Sequence, residues 1–427
     1  MEEELYNNID KIAMEYYSIN PKIIKISKIV TEEIQPIIRD IENIVEFNQL
    51  KVLEAMKRSF LSDYHLSDST GYGYNDTGRE TIDEIYKTIF RAEDALVRPQ
   101  IISGTHAITL CLLGVLRPGD ELLSATGTPY DTLKDVIHGD NCGSLKDFNI
   151  KYREADLIDG KPNYKAIKEN INNNTKMIFI QRSRGYSLRP SLSTVEIKQL
   201  IEYIKSLKHD VICFVDNCYG EFVDTNEPIE VGADLCAGSL IKNPGGGIAP
   251  TGGYVVGKSE LVKLCSDRLT APGLDKNCGP SMSSNRLIAQ GTFYAPLIVG
   301  EALKGAIFTS RIMEKMGFEV NPKYNEKRND IVTAVMLGNK DALINFCKGI
   351  QKVGPVDSHV LPEPWAMPGY DHKVIMAGGS FIQGSSIELS ADAPLREPYA
   401  VYIQGGLNLS HVKLGIMSGL QAMIDSK

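Results

Sequence analysis

The chain has 427 residues, 43% of them hydrophobic and 23% charged, which excludes disordered and fibrous classes and leaves ample material for a large buried core. Its 54 acidic residues outweigh 46 basic ones for a formal charge of -8, and no Lys/Arg block forms the phosphate-tracking stripe that nucleic acid requires. The opening MEEEL lacks the basic and apolar regions of a signal peptide, and no apolar run approaches the roughly 18 residues of a membrane span, so a cytoplasmic protein with a small-molecule substrate is expected.

From about residue 6 to 58, apolar residues recur at helical spacing (Ile23, Ile24, Ile26, Ile29 and Val30, then Val45, Phe47 and Leu50), which predicts an N-terminal helical arm over 1–60. The stretch 64–78, rich in Gly, Ser, Asp and Tyr, reads as a loop, followed by a helix from Thr81 with Glu84 as its capping-box partner. Short apolar runs then alternate with helical stretches. Strands are expected at 96–102, 121–124, 177–181, 211–216 and 235–239, and such alternation implies a mainly parallel central sheet flanked by helices. Another strand within 248–257 is a candidate for antiparallel pairing.

A helix over 297–315 leads into strands near 374–376 and 386–389 and helices near 340–353 and 409–424. The result is an α/β chain with three parts: the arm, a large α/β domain over 61–295 and a small C-terminal α+β domain over 296–427. Eight cysteines, at 111, 142, 213, 218, 236, 265, 278 and 347, lack the paired spacings of a zinc site or disulfide framework, so reduced thiols and no metal are expected.

Chemistry gathers in three places. Ser103, Gly104 and Thr105 sit at a strand-to-helix turn, where backbone N–H groups and the helix dipole suit a phosphate, although taken alone the motif is better read as a plain N-cap. Asp216 ends the apolar run 211–216, at the carboxyl edge where open α/β sheets hold ligands. It suits a metal, a histidine or a protonated pyridine nitrogen. Lys242 follows the strand 235–239 and precedes a glycine-rich loop. Against an apolar wall or a positive neighbour such an amine gives up its proton more readily and can attack a carbonyl. One cofactor uses all three, pyridoxal 5'-phosphate (PLP), and their order and the 26 positions from 216 to 242 suit the aminotransferase-like fold type I site.

Longer strings carry a resemblance. Residues 71–79 (GYGYNDTGR), 383–399 (QGSSIELSADAPLREPY) and 404–406 (QGG) resemble the cystathionine β-lyase and methionine γ-lyase group of PLP enzymes, and most closely its aluminium-resistance branch. The resemblance implies a PLP-dependent carbon–sulfur lyase acting on a sulfur amino acid through a Schiff base on Lys242, with Asp216 on the pyridine nitrogen. It implies Ser103, Gly104, Thr105 and Ser239 on the phosphate, Tyr130 stacked on the cofactor and acting on the leaving group, and Arg396 on the substrate carboxylate. Tyr72, Tyr74 and Arg79 resemble a loop that completes the phosphate site of a neighbouring subunit, which implies a homodimer or homotetramer with its active site between the two domains. Two positions depart from the group. Ile241 stands where a phosphate-binding threonine is usual, and the segment 181–186 (QRSRGY) replaces one that contacts the cofactor ring, with Arg184 a candidate for that contact or for the substrate.

Overall fold

The computed structural model describes residues 2–367 and 370–426. The N-terminal residues wind into α1 (Glu2–Tyr17), α2 (Pro21–Glu33) and α3 (Gln35–Arg58). Asn20 starts α2 by accepting the Lys22 N–H at 2.9 Å, with Pro21 in the first turn, where its missing N–H costs nothing. The helix expected from Thr81 begins earlier, as α4 (Thr77–Phe90), because the Asp76 carboxylate accepts the Arg79 N–H at 2.8 Å and caps it.

Seven strands follow: β1 (Asp94–Arg98), β2 (Glu121–Ser124), β3 (Lys151–Glu154), β4 (Thr175–Gln181), β5 (Ile212–Asp216), β6 (Leu235–Ser239) and β7 (Gly253–Gly257). They form one sheet in the order β1-β7-β6-β5-β4-β2-β3. β7 pairs antiparallel with both β1 and β6, while β3, β2, β4, β5 and β6 run parallel. Between them lie α5 (Gly104–Val115), α6 (Lys134–His138), α7 (Tyr164–Asn170), α8 (Thr194–Leu207) and α9 (Ser259–Leu269), and α10 (Asn285–Lys315) follows.

The parallel strands are apolar because helices cover both their faces. Leu96, Leu122, Phe179, Phe214, Leu235 and Val255 are packed with Ala107, Leu110 and Cys111 of α5 and Val262 and Cys265 of α9. β3 escapes sequence reasoning because it is an edge strand of alternately exposed polar residues, KYRE.

A second, wholly antiparallel sheet has the order β10-β11-β12-β9-β8, built from β8 (Glu319–Asn321), β9 (Val332–Met336), β10 (Val374–Ala377), β11 (Ser390–Pro394) and β12 (Ala400–Gln404). Helix α11 (Lys340–Lys352) packs against α12 (Leu409–Asp425) beside it. The strand expected at 386–389 is instead a loop. The Glu388 carboxylate accepts the Phe381 and Ile382 N–H groups at 2.8 and 2.9 Å, and the Ile387 carbonyl accepts from Gly406 at 2.8 Å, so these residues are tied elsewhere and pairing starts at Ser390.

The chain divides into a unit of Ile44–Leu297 and a unit of Met1–Asn43 with Ile298–Lys427. The sequence pattern suggested a separate arm to residue 60. The structure groups 1–43 with the C-terminal residues, where Ile23, Ile24 and Val30 of α2 are buried and the Asn20 N–H donates to Gln421 Oε1 at 2.8 Å. Among the described residues no helix is long and apolar enough to cross a membrane.

Candidate active site

Parallel pairing brings the carboxyl ends of β4, β5 and β6 to one edge, with Gln181 opposite Asp216 and Asp216 opposite Ala237. Ser239, Lys242 and the N-terminus of α5 arrive at the same edge. A Cβ added to Gly104 would lie 3.1 Å from Cys218 Sγ, 3.6 Å from Ser239 Cβ and 3.8 Å from Lys242 Nζ. Gly104, Ser239 and Lys242, more than 130 positions apart along the chain at the extremes (104 to 242), therefore meet around one small space.

After β5 the chain turns sharply. The Cys218 N–H donates to Asp216 Oδ1 at 3.1 Å, and Tyr219 takes a left-handed conformation with φ 72°, unusual for a residue with a Cβ. That turn sets the Tyr219 ring 4.0 Å from Lys242 Nζ, measured to the ring centroid. Tyr219 was not among the sequence candidates. The signal available was an aromatic residue three positions beyond the strand-end carboxylate, and only the backbone conformation turns it toward the lysine.

The Lys242 ammonium is held above the ordinary lysine value: burial pulls it down, and the carboxyl groups of Asp216 and Glu221 are among the neighbours that oppose that pull. Burial raises the Asp216 carboxyl, with Lys242 opposing it, and the same burial drives the Cys218 thiol up, so Cys218 stays protonated.

Around this centre the segment 181–189 folds back on itself. Gln181 Oε1 accepts the Tyr130 N–H at 2.7 Å, and its amide donates to the Ser183 carbonyl at 3.1 Å. Arg189 donates to the Gln181 carbonyl at 3.0 Å and also to that of Ser183. Tyr130 meets Tyr186 edge to face, centroids 5.5 Å apart. Gly185, at φ 60°, allows the approach, since a Cβ there would lie 3.0 Å from Tyr130 Cδ2. Arg184 is buried beside them.

The remaining sequence candidates are distributed differently. Ser103 caps α5, its Oγ accepting the His106 N–H at 3.0 Å, and the Thr105 and Thr132 hydroxyls are 2.7 Å apart. Arg79 is buried, not presented outward: its guanidinium donates to the carbonyls of Gly73 and Gly279 at 2.7 Å each and of Asn277 at 3.3 Å. It fastens the loop that displays Tyr72 and Tyr74, whose exposed rings stack 5.5 Å apart. Arg396 belongs to the other unit, half-buried in the turn between β11 and β12.

The residues around Lys242 fit PLP. Ser239 is buried, and its Oγ has no hydrogen-bond partner among the described residues. An orphaned hydroxyl of this kind calls for a ligand. It faces the N-terminus of α5, where the missing side chain of Gly104 leaves the backbone N–H groups open to an anion. A buried carboxyl at Asp216 and a half-buried amine at Lys242 complete the donor set for a phosphorylated pyridine aldehyde.

The chain is similar to known proteins along most of its length. The methionine gamma-lyase family model matches residues 23–424. The Bacillus subtilis protein YnbB is 52% identical over 402 residues, covering 93% of this chain and 96% of that protein. A solved carbon–sulfur lyase involved in aluminium resistance, from Clostridium novyi, is 50% identical with a TM-score of 0.92 and covers 96% of this chain and 98% of that one. At 15% identity and a TM-score of 0.62, the PLP-dependent Escherichia coli protein YhfS, with coverage of 91% and 97%, shares the fold. The architecture is fold type I.

Proposed function

Because the chain belongs to the methionine gamma-lyase family of carbon–sulfur lyases, we propose that it eliminates a thiol from a sulfur amino acid with PLP attached to Lys242. The observation that carries this reading is the convergence of Gly104, Ser239, Asp216 and Lys242 at one sheet edge, with the Ser239 hydroxyl left for a ligand.

When bound, the cofactor supplies an electron sink that makes the substrate α-proton removable. The chain's own residues do the rest. The N-terminus of α5 at Gly104 and Thr105, with Ser239 Oγ, grips the phosphate, and Ser103 holds that turn in place. Asp216 holds the charge on the pyridine nitrogen. Lys242 would hold the cofactor, and its Nζ would serve as the group that moves the proton at the substrate α-carbon. Tyr130, fixed by Gln181 and Tyr186, would stack on the cofactor and act on the leaving sulfur. Arg396 and Arg184 are the candidates for the substrate carboxylate, a task suited to a planar two-pronged donor. The exposed pair Tyr72 and Tyr74 offers a surface for a second copy of the chain in a homodimer or homotetramer.

Incubation of the cofactor-loaded protein with cystathionine, methionine, homocysteine and cysteine, following keto acid, ammonia and thiol together, tests this reading. Stoichiometric release of all three from one of them supports it. Amino-group transfer without thiol release would refute it.

A further inference from the structure

Behind the turn that presents Tyr219 lies an arginine that the proposed chemistry leaves unused. Arg182 follows the last residue of β4 and is fully buried. Its backbone N–H donates to the Asp216 carbonyl at 3.1 Å, which carries the pairing of β4 with β5 one bond further. Its Nη1 donates to Asn217 Oδ1 at 2.7 Å and to the Gly220 carbonyl at 2.8 Å. Gly220 allows that approach: a Cβ there would lie 2.5 Å from Arg182 Cδ and 2.6 Å from its Nε and Nη1.

Asn217 and Gly220 are the two ends of one tight turn, closed by the Gly220 N–H on the Asn217 carbonyl at 2.8 Å. The residues between them are Cys218 and Tyr219, and both reach the space around Lys242. The Cys218 sulfur stands 3.1 Å from the position of a Cβ on Gly104, and the Tyr219 ring 4.0 Å from Lys242 Nζ. One guanidinium nitrogen thus fastens both ends of the turn whose middle faces the lysine. Glu227 supplies the countercharge at 3.6 Å from Nη1, and its carboxyl oxygens hold the same segment, accepting Asn217 Nδ2 at 2.9 Å and the Phe222 N–H at 2.8 Å. Tyr219 and Phe222 both take left-handed backbones, at φ 72° and 60°. Residues with a Cβ adopt that conformation at a cost and keep it only where neighbours impose it.

We infer that Arg182 is a positioning residue for the reaction: its guanidinium clamps the turn 217–220 and so holds the Tyr219 ring against the Lys242 nitrogen. Both anchoring bonds leave from one nitrogen. A lysine, whose ammonium carries three donors on a stem one bond shorter, therefore reproduces the clamp in part, and a methionine reproduces none of it. The part that Arg182 plays in turnover rests on Lys242 as the cofactor lysine, proposed above; the clamp itself does not.

The test reads the turn through Cys218 in the cofactor-free protein. Alkylation of the folded protein by N-ethylmaleimide, followed over time by peptide mass spectrometry, gives separate rates for Cys218 and for Cys213, which is buried within β5. Loss of a charge-assisted hydrogen bond lets the turn open locally. Arg182→Met should raise the rate at Cys218 roughly 10- to 100-fold with that at Cys213 unchanged, and Arg182→Lys should fall between wild type and Arg182→Met. An unchanged rate at Cys218, or equal rises at both cysteines, overturns the inference and makes Arg182 a general core residue. If Arg182→Met does not fold, Asn217→Ala, which removes one anchor and keeps the Arg182–Glu227 pair, carries the same comparison. In the loaded enzyme, Arg182→Met should lower kcat/KM no further than Tyr219→Ala does, and should add nothing in a Tyr219→Ala background. An additional loss there contradicts action through Tyr219. Labelling as expected in a protein that never attaches PLP to Lys242 would refute the proposed function and leave the clamp standing, so the two failures are distinct.

Discussion

The Nζ of Lys242 stands 4.0 Å from the centre of the Tyr219 ring, and Tyr219 reaches that position through a left-handed backbone at φ 72°. A conformation of this kind costs on the order of 1–2 kcal/mol and persists because its surroundings impose it. The ring face contributes roughly 0.5–2 kcal/mol to holding a cation. Tyr219→Ala should therefore show kcat/KM roughly 3- to 30-fold below that of Tyr219→Phe. Equal values for the two variants would assign the role to the hydroxyl alone.

Ser239 permits a cleaner separation of binding from stability. Its Oγ has no partner within the described residues, so Ser239→Ala removes nothing the cofactor-free fold uses. A hydrogen bond to a charged group is worth about 1.5–3 kcal/mol. PLP affinity should fall roughly 10- to 100-fold with the melting temperature of the cofactor-free protein unchanged. A lower melting temperature with unaltered affinity would make Ser239 a core residue.

Arg396 is expected to act on substrate and not on cofactor. Loss of a two-pronged contact to a carboxylate costs on the order of 2–4 kcal/mol. Arg396→Leu should then lower kcat/KM about 30- to 1000-fold with PLP content intact, and Arg396→Lys should restore only part. Loss of PLP, or normal turnover, would send the search for the carboxylate anchor to Arg184.

Much of this was legible in sequence. Strands β2 and β6 match the expected bounds, and antiparallel β7 falls inside its expected segment, because buried strands of an α/β sheet are short apolar runs with clear ends. Asp216 and Lys242 were legible for the same reason: each stands at or just past such an end. Arg79 was expected beside a neighbouring subunit's phosphate; in the fold it donates to three backbone carbonyls, partners that a Tyr/Gly loop sequence does not reveal. Glu221 and Tyr219 gave no local signal. Their positions arise from a turn conformation and from the gap at Gly238, which bring together residues on β5, β6 and β7.

Glu221 has a signature in folding. Its carboxyl rises from the ordinary 4.5 to about 8 in the fold. The sign follows from linkage: a raised folded-state value contributes stability that is fully present below about 4.5 and is lost as pH rises through about 8. Glu221→Gln lacks that dependence. The melting temperature of the cofactor-free variant minus that of wild type should therefore grow steadily between those two pH values, by the equivalent of a few kcal/mol. A flat difference would mean that Glu221 is ionised throughout.

The account depends above all on Lys242 as the residue that carries PLP. Borohydride reduction of the purified holoenzyme, followed by tryptic digestion and mass spectrometry, should place the pyridoxyl group on the peptide containing Lys242, and Lys242→Ala should yield no labelled peptide. A pyridoxyl group on a different lysine, or undiminished labelling in Lys242→Ala, would contradict it.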